Sequence, residues 1–183
     1  MVMPNAAPLY SADELRAWPD DGQRYEVVHG ELLVSPAPRF WHQELVDRLL
    51  VALRLYLVRE PIGSANSSPA DISWDERTLV QPDLFVVALD EARTGDWARI
   101  KTLLLAVEVL SPSSHRADRV IKRQLYQAHG VGTYWIVDTD ARRVELLTPT
   151  ATAPVLLIDR LTWHPDGAIE PFVMSLEELF RPM

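Results

Sequence analysis

The chain has 183 residues, 48% of them apolar and 24% charged, with a formal net charge of −8, which excludes a disordered chain and predicts one globular domain over residues 1–183. It contains no cysteine, which excludes disulfides, thiolate metal sites and cysteine nucleophiles and leaves Asp, Glu and His as metal ligands. No stretch approaches 18 uninterrupted apolar residues and no signal-peptide pattern opens the sequence, so we expect a cytoplasmic protein without a membrane span.

The N-terminal part of the sequence predicts a short helix followed by a β-hairpin. Ser11 and Glu14 have the spacing of a capping box, which indicates a helix running to about residue 18. Residues 25–28 and 31–34 flank a His-Gly pair, and two such stretches around a two-residue turn are typical of a hairpin.

A long amphipathic helix is the most regular feature of the next segment. Between about residues 40 and 58, leucine and valine recur at intervals of three and four, which is the spacing of one helix face. We expect the polar residues 64–68 to form a loop and residues 71–74 to form a short strand.

The second half of the chain alternates between predicted strands and helices. The apolar, β-branched runs predict strands over residues 81–87, 104–110, 134–137 and 144–147. The Ser-Pro-Ser-Ser segment 111–114 ends the second of these strands, and a helix is expected to follow it as far as Gly130. We expect a terminal helix over residues 175–180.

Two of the predicted strands each carry one carboxylate inside an apolar run, namely Asp83 and Glu108. Moving a charge out of water is costly unless the charge is paired, hydrogen-bonded or bound to a metal. Two such acids therefore suggest one shared site, for which a hard divalent cation is the favoured ligand. From its residue type alone, Asp83 also fits a strand-end Asp that accepts hydrogen bonds from backbone amides.

A basic segment follows Glu108 in a chain that is acidic overall. Between residues 115 and 124, one carboxylate, Asp118, is accompanied by four cations, which are Arg116, Arg119, Lys122 and Arg123. This excess of positive charge could hold a phosphate, although the same residues also fit a solvated helix face. The overall charge of −8 argues against a protein whose whole surface binds nucleic acid.

Short motifs between about residues 10 and 150 form a pattern that is densest over residues 104–138. They are Tyr25-Glu26, His29-Gly30-Glu31-Leu32, Ser35-Pro36, His42-Gln43, Gln81-Pro82-Asp83, Glu108-Val109-Leu110-Ser111-Pro112-Ser113, Asp118, Lys122, Tyr126, Gly130-Val131 and Tyr134-Trp135. This pattern resembles the Uma-two family of bacterial restriction endonuclease-like proteins, which belong to the PD-(D/E)XK superfamily.

The resemblance implies an α/β (α+β) fold with a restriction endonuclease-like core. A central mixed β-sheet would be flanked by helices and preceded by an N-terminal helix and a hairpin. Pro82-Asp83 and Glu108 would match the first two elements of the signature, with Asp83 and Glu108 binding Mg²⁺ or Mn²⁺. The lysine expected two positions after the second acid is absent, because residue 110 is Leu. The resemblance implies that Lys122 replaces it from the following helix.

Other residues enter the predicted site with weaker support. The resemblance makes Glu31 a third acid of the metal site and His42 a contact to the substrate or to a site residue. Alternation with apolar residues instead predicts surface positions for Glu31 and for Glu26. Asp118 lies one helical turn before Lys122 and could pair with it. Taken alone, Lys122 also fits a solvated helix residue.

The favoured interpretation is a metal-dependent nuclease that hydrolyses phosphodiester bonds in DNA, working as a homodimer, since enzymes of this superfamily commonly pair to cut two strands. An alternative is an inactive nucleic-acid or partner-binding module of the same fold, which the missing lysine and the acidic charge favour. A hydrolase acting on another phosphoester or on a sugar also remains open, because the sequence carries no base-reading motif. The choice between DNA and RNA is open for the same reason.

Overall fold

The computed structural model describes residues 8–182, which form a mixed α+β fold. The strands are β1 (Arg24–Val28), β2 (Glu31–Ser35), β3 (Gly63–Ser67), β4 (Leu84–Ala88), β5 (Leu103–Val109), β6 (Tyr134–Asp138), β7 (Arg143–Leu147), β8 (Val155–Leu157), β9 (Arg160–Trp163) and β10 (Phe172–Ser175). The α-helices are α1 (Ala12–Arg16), α2 (Phe40–Arg59), α3 (Leu89–Ala92), α4 (Arg123–Ala128) and α5 (Leu176–Leu179). A 3₁₀ turn covers Trp97–Arg99, and a π-helical segment, Ala117–Lys122, leads directly into α4.

Six strands form the central sheet in the order β3-β4-β5-β6-β7-β8. The β5–β6 pair is parallel and the other pairs in this sheet are antiparallel, which confirms the expected mixed sheet. Two antiparallel hairpins, β1–β2 and β9–β10, lie outside it. Within residues 8–182, no helix has the length and apolar character needed to cross a membrane.

The sheet separates two apolar cores. On β4, Leu84 and Val86 belong to one core while Phe85 and Val87 belong to the other, because successive side chains of a strand point to opposite faces. Residues of α2, α5, β9 and β10 complete the first core. Residues of β1 and α4 complete the second core, which is the side on which the predicted acids lie.

Several predicted elements are confirmed. Ser11 and Glu14 form the capping box of α1, with both reciprocal hydrogen bonds present. The hairpin turn has positive φ at His29 and Gly30, as a two-residue turn matching the strand twist requires. The long helix α2 and the four predicted strands of the second half are also present, and Ser175 caps the terminal helix α5.

Other elements differ from the predictions. The polar segment expected as a loop is β3, an edge strand whose pairing to β4 uses backbone hydrogen bonds and does not depend on apolar side chains. The strand predicted over residues 71–74 is wrong, since Ile72 forms only an isolated bridge to Val80. The helix predicted to follow residues 111–114 does begin at residue 115, but its part Ala117–Lys122 is π-helical. Strands β8, β9 and β10 were not predicted; each has only three or four residues, too few to establish an alternating pattern in the sequence.

Candidate functional site

Asp83 and Glu108 lie side by side at one end of the β4–β5 strand pair. The antiparallel register joins Leu84 to Val107, so Asp83 and Glu108 follow as neighbours on the face of the second core. A hydrogen bond of 2.8 Å from the Val109 backbone N–H to Asp83 Oδ2 ties the end of β5 to this carboxylate. Both acids are buried, as the apolar sequence around them predicted.

Lys122 reaches this pair of strands from the end of the π-helical segment, and its side chain is only 3% exposed. Its Nζ lies 2.9 Å from Glu108 Oε1 and 3.8 Å from Asp118 Oδ1. The interpretation of Lys122 as a solvated helix residue is therefore wrong. The π-helical segment places Asp118 and Lys122, four residues apart, on the side of the helix that faces the sheet.

Glu26 is the nearest carboxylate to the lysine, with 2.8 Å between Lys122 Nζ and Glu26 Oε2. Its predicted surface position is wrong, because the residue is 1% exposed. The strand alternation places Glu26 on the same face as Val28, which is part of the second core. The apolar residue two positions after Glu26 could therefore have indicated that Glu26 is buried. The other oxygen of Glu26 accepts a 2.7 Å hydrogen bond from the Gln81 backbone N–H.

Two side chains from the N-terminal half hold Asp83. Arg24 NH1 donates to Asp83 Oδ1 at 2.7 Å, and His42 Nε2 lies 3.0 Å from Asp83 Oδ2. Since an ionised carboxylate only accepts hydrogen bonds, His42 carries its proton on Nε2. Burial alone would raise the pKa of Asp83, but the His42 hydrogen bond and the Arg24 charge lower it well below the usual range. Asp83 is thus held as an anion.

The charge balance differs around Lys122, where three carboxylates face one ammonium group. Burial disfavours the charged lysine, but attraction to Glu108, Glu26 and Asp118 raises the pKa of Lys122. Burial also raises the pKa of Glu108 well above its ordinary value, and the attraction of Lys122 only partly opposes this. The cluster therefore keeps the lysine charged and favours an additional proton on Glu108.

Two buried tyrosines complete the cluster. Tyr126 of α4 donates its hydroxyl to Glu108 Oε1 at 3.0 Å, and Tyr134 of β6 donates to the Asp118 backbone carbonyl at 3.0 Å. Burial raises the pKa of both hydroxyls, so they remain donors. Neither tyrosine was proposed as a site residue, although both belong to the motifs that carry the family resemblance.

The remaining predicted residues lie apart from this cluster. Glu31 is exposed at the start of β2, and none of the hydrogen bonds within residues 8–182 joins it to the cluster. Arg119 is bound by Asp138 and Glu145, and Arg123 donates to the backbone carbonyls of residues 151 and 152. Arg116 is exposed. The structure thus unites five predicted residues, which are His42, Asp83, Glu108, Asp118 and Lys122.

A cavity of about 480 Å³ opens beside the two strand acids, and we call it the site cavity. Residues that line it include Arg24, His42, Asp83, Glu108 and Asp118. A phosphate-bearing ligand in this cavity would meet both carboxylates and the ends of β5 and β6. The site is therefore accessible even though its individual charges are buried.

The free lone pairs of Asp83 and Glu108 decide whether a divalent cation fits. A carboxylate offers about four acceptor positions. Arg24, His42 and Val109 occupy three on Asp83, whereas both donors to Glu108 bind Oε1 and none within residues 8–182 binds Oε2. That part of the chain contains no group of three or more His, Asp or Glu side chains arranged to enclose a metal. The two acids fit an ion such as Mg²⁺, which keeps several waters and uses one or two carboxylates.

The chain is similar to a known protein family and to a solved structure. Residues 12–167 match the family described as "Uma2: Putative restriction endonuclease". The crystal structure of a putative nuclease belonging to DUF820, from Anabaena variabilis ATCC 29413, aligns with a TM-score of 0.77 and 21% identity, covering 93% of this chain and 97% of that one. This likeness shows a shared fold. The comparison with curated proteins gave no match.

Proposed function

The chain belongs to the Uma2 family of putative restriction endonucleases, and from this premise we propose that it is a divalent-metal-dependent nuclease that hydrolyses phosphodiester bonds in DNA. The observation that carries the proposal is the meeting of Asp83, Glu108 and Lys122 in one buried cluster beside an open cavity. Family and fold support a nuclease in general terms. The proposal adds the metal, the DNA substrate and the residue roles.

Each charged group of the cluster has a role in the proposed reaction. Asp83 and Glu108 would hold the divalent ion, Mg²⁺ or Mn²⁺. When bound, such an ion polarises a phosphoryl oxygen and acidifies a water molecule. Lys122 acts as a positioning residue: its ammonium group binds Glu26 Oε2 and Glu108 Oε1, so it holds Glu108 in place and adds positive charge near the reacting phosphate without touching it.

Arg24 and His42 position Asp83 in this proposal. Their hydrogen bonds fix the carboxylate and keep it ionised, so Asp83 needs no proton release before it can bind a cation. Asp118 supports Lys122 from one helical turn away at 3.8 Å. The short side-chain contacts mean that the site is organised before the substrate arrives, which reduces the reorganisation needed during reaction.

A supercoiled-plasmid nicking assay with Mg²⁺ or Mn²⁺, combined with calorimetric metal titration, tests the proposal. We expect wild-type protein to nick the plasmid, and we expect Asp83→Asn or Glu108→Gln to lower the rate by about 10²-fold or more, the scale on which one preorganised active-site charge contributes. Both variants should also bind the ion more weakly. Unchanged metal-dependent nicking in either variant would show that the site is misplaced.

Asp138→Asn provides the matched control for these substitutions. Asp138 also ends a strand and lines the site cavity, but its carboxylate binds Arg119 instead of the Lys122 cluster. We expect this variant to nick at nearly the wild-type rate. A loss equal to that of Asp83→Asn would mean that any change at the cavity wall abolishes activity.

One observation favours the alternative of an inactive nucleic-acid-binding module. Arg24 and His42 already occupy both oxygens of Asp83, so a metal ion would share this carboxylate with a resident cation. The module would bind DNA with a shallow salt dependence that reflects few phosphate contacts, and it would nick in no metal. The nicking assay separates the two functions directly.

A further inference from the structure

Arg24 lies on the boundary between two cavities. One is the site cavity, and the second has a volume of about 520 Å³ and shares the Arg24–Asp83 pair with it. Arg24, His42, Asp83 and the loop 36–38 line both cavities. A ligand extending from one cavity to the other would therefore pass the Arg24 side chain.

Only one end of the Arg24 guanidinium is used by the protein. NH1 donates to Asp83 Oδ1 at 2.7 Å and to the Gln81 carbonyl at 3.0 Å, which accounts for its two hydrogens. Nε and NH2 make no hydrogen bond with any residue from 8 to 182. Neither atom is among the buried unpaired polar atoms of that same part of the chain, so both keep some contact with solvent, and Arg24 lines both cavities.

Lys122 lacks this freedom. Its three ammonium hydrogens face three carboxylates at 2.8, 2.9 and 3.8 Å, and its side chain is 3% exposed. Arg24 is 23% exposed, and its Nε and NH2 edge is open. Of the two cations that contact the acids of the site, Arg24 is thus the one able to meet an incoming anion.

We propose that Arg24 binds a phosphate group of the nucleic-acid strand adjacent to the phosphodiester that is cleaved, with Nε and NH2 forming a bidentate pair. This inference rests on the proposed function and adds a second subsite to it. The planar guanidinium matches two phosphate oxygens at once, and a lysine ammonium cannot reproduce that geometry. Because Asp83 and Gln81 already hold NH1, little side-chain entropy remains to be lost on binding.

The second cavity provides space for the nucleotide that carries this phosphate. Its wall includes the aromatic side chains Trp18 and Tyr25 and the amide side chain of Gln23. Apolar rings and amide groups are compatible with a sugar and base, whereas the site cavity contains Glu108 and Asp118, which do not line the second cavity, near the cleaved bond. The strand would thus cross Arg24 between one nucleotide and the next.

Binding of short nucleotides in EDTA tests this subsite without metal or cleavage. The probes are two thymidines joined by one phosphodiester, either unmodified or carrying an additional 5′- or 3′-phosphate, titrated by calorimetry. For wild-type protein we expect one of the two terminal phosphates to raise affinity about tenfold, the scale of hydrogen bonds to a charged group. Arg24→Lys, which keeps the charge beside Asp83, should reduce that gain to about twofold or less.

Arg39→Lys is the matched control, because Arg39 is an exposed arginine that lines the site cavity but not the second cavity. It should retain the full gain. If Arg24→Lys fails to fold, the double variant Arg24→Gln with Asp83→Asn removes both charges of the pair and should likewise lose the gain. The inference is overturned if neither terminal phosphate strengthens wild-type binding, or if the gain survives in the Arg24 variants.

The two proposals fail in different ways in these experiments. If the protein nicks plasmid but the affinity gained from the terminal phosphate does not depend on Arg24, the proposed function stands and the Arg24 subsite is wrong. If the terminal phosphate raises the affinity of wild type but not of Arg24→Lys, and plasmid is never nicked, the Arg24 subsite stands and the protein is a binding module.

Discussion

Two ion-pair networks start from the same helical segment and have opposite character. Lys122 enters the second core and contacts Glu26, Glu108 and Asp118. Arg119, three residues earlier, contacts Asp138 at the end of β6 and Glu145 in the middle of β7. The lysine is 3% exposed and the arginine 29% exposed. The contacts are similarly short, so burial is the main difference between them.

Burial changes the protonation behaviour of the two networks. The pKa of Glu108 is raised because burial outweighs the attraction of Lys122. Burial of Asp138 acts in the same direction, but the Ala141 N–H and the Arg119 guanidinium outweigh it and lower the pKa of Asp138. Ion pairs of similar length therefore favour a proton on Glu108 in the cluster of Lys122 and an ionised carboxylate at Asp138 in the network of Arg119.

The largest expected effect is the loss of stability when Lys122 is replaced. Lys122→Met keeps the side-chain length but leaves three buried carboxylates without their cation, and we expect it to lower the free energy of unfolding by about 3–5 kcal/mol at pH 7. Urea unfolding of wild type and variant measures this. Adding Glu108→Gln should recover part of the loss. A change below about 1 kcal/mol would contradict the buried cluster.

The pH dependence of stability should have opposite signs in the two networks. A raised folded pKa means that the folded state holds the Glu108 proton longer, so this residue makes stability fall as pH rises from the unfolded value of about 4.3 towards its folded pKa. Glu108→Gln removes this effect, and its stability relative to wild type should rise with pH by up to about 1.4 kcal/mol per unit.

Asp138→Asn should behave in the opposite way. Its lowered pKa stabilises the folded state above the unfolded value of about 3.9, and this contribution disappears as pH falls through the folded pKa. The variant should therefore show a constant deficit near neutral pH that shrinks in acid. Urea unfolding of both variants from pH 3 to 8 measures the two slopes. If the stabilities of the two variants relative to wild type changed with pH in the same direction, the two networks would not differ in their protonation behaviour.

The smallest effect is expected in the network of Arg119. Arg119→Met should lower the free energy of unfolding by about 1 kcal/mol, because Arg119 is 29% exposed and Arg143 still lies 3.8 Å from both acids that it leaves behind. The same urea measurement, made beside Lys122→Met, gives the comparison. Equal losses in the two variants would show that burial does not distinguish the networks. Plasmid nicking by Arg119→Met should remain near the wild-type level.

Much of the fold could be predicted because the relevant signals are local. The capping box of Ser11 and Glu14, the turn at His29-Gly30 and the apolar spacing of α2 each depend on neighbouring residues. β3 was missed because an edge strand pairs through its backbone and needs little apolar sequence. The π-helical segment was missed because its residues do not differ in type from those of an α-helix.

The candidate site was predictable in part for the same reason. Asp83 and Glu108 were found because each is a lone acid in an apolar run, which burial makes costly. Lys122 was predicted only from the family pattern, because the residues next to a single lysine on a helix do not indicate whether it is buried. Glu26 and Arg24 were missed, because their contacts with Lys122 and Asp83 join residues far apart in the chain.

The sequence by itself determined which strands carry acids, which helix follows Glu108 and which family pattern the chain contains. The tertiary structure alone decided which carboxylate each cation binds, that Lys122 lies inside the protein and that Arg24 keeps an open edge. The physical reason is that periodicity determines the face on which a side chain lies. What covers that face, and therefore its charge balance, depends on how the hairpin and α4 pack on the sheet.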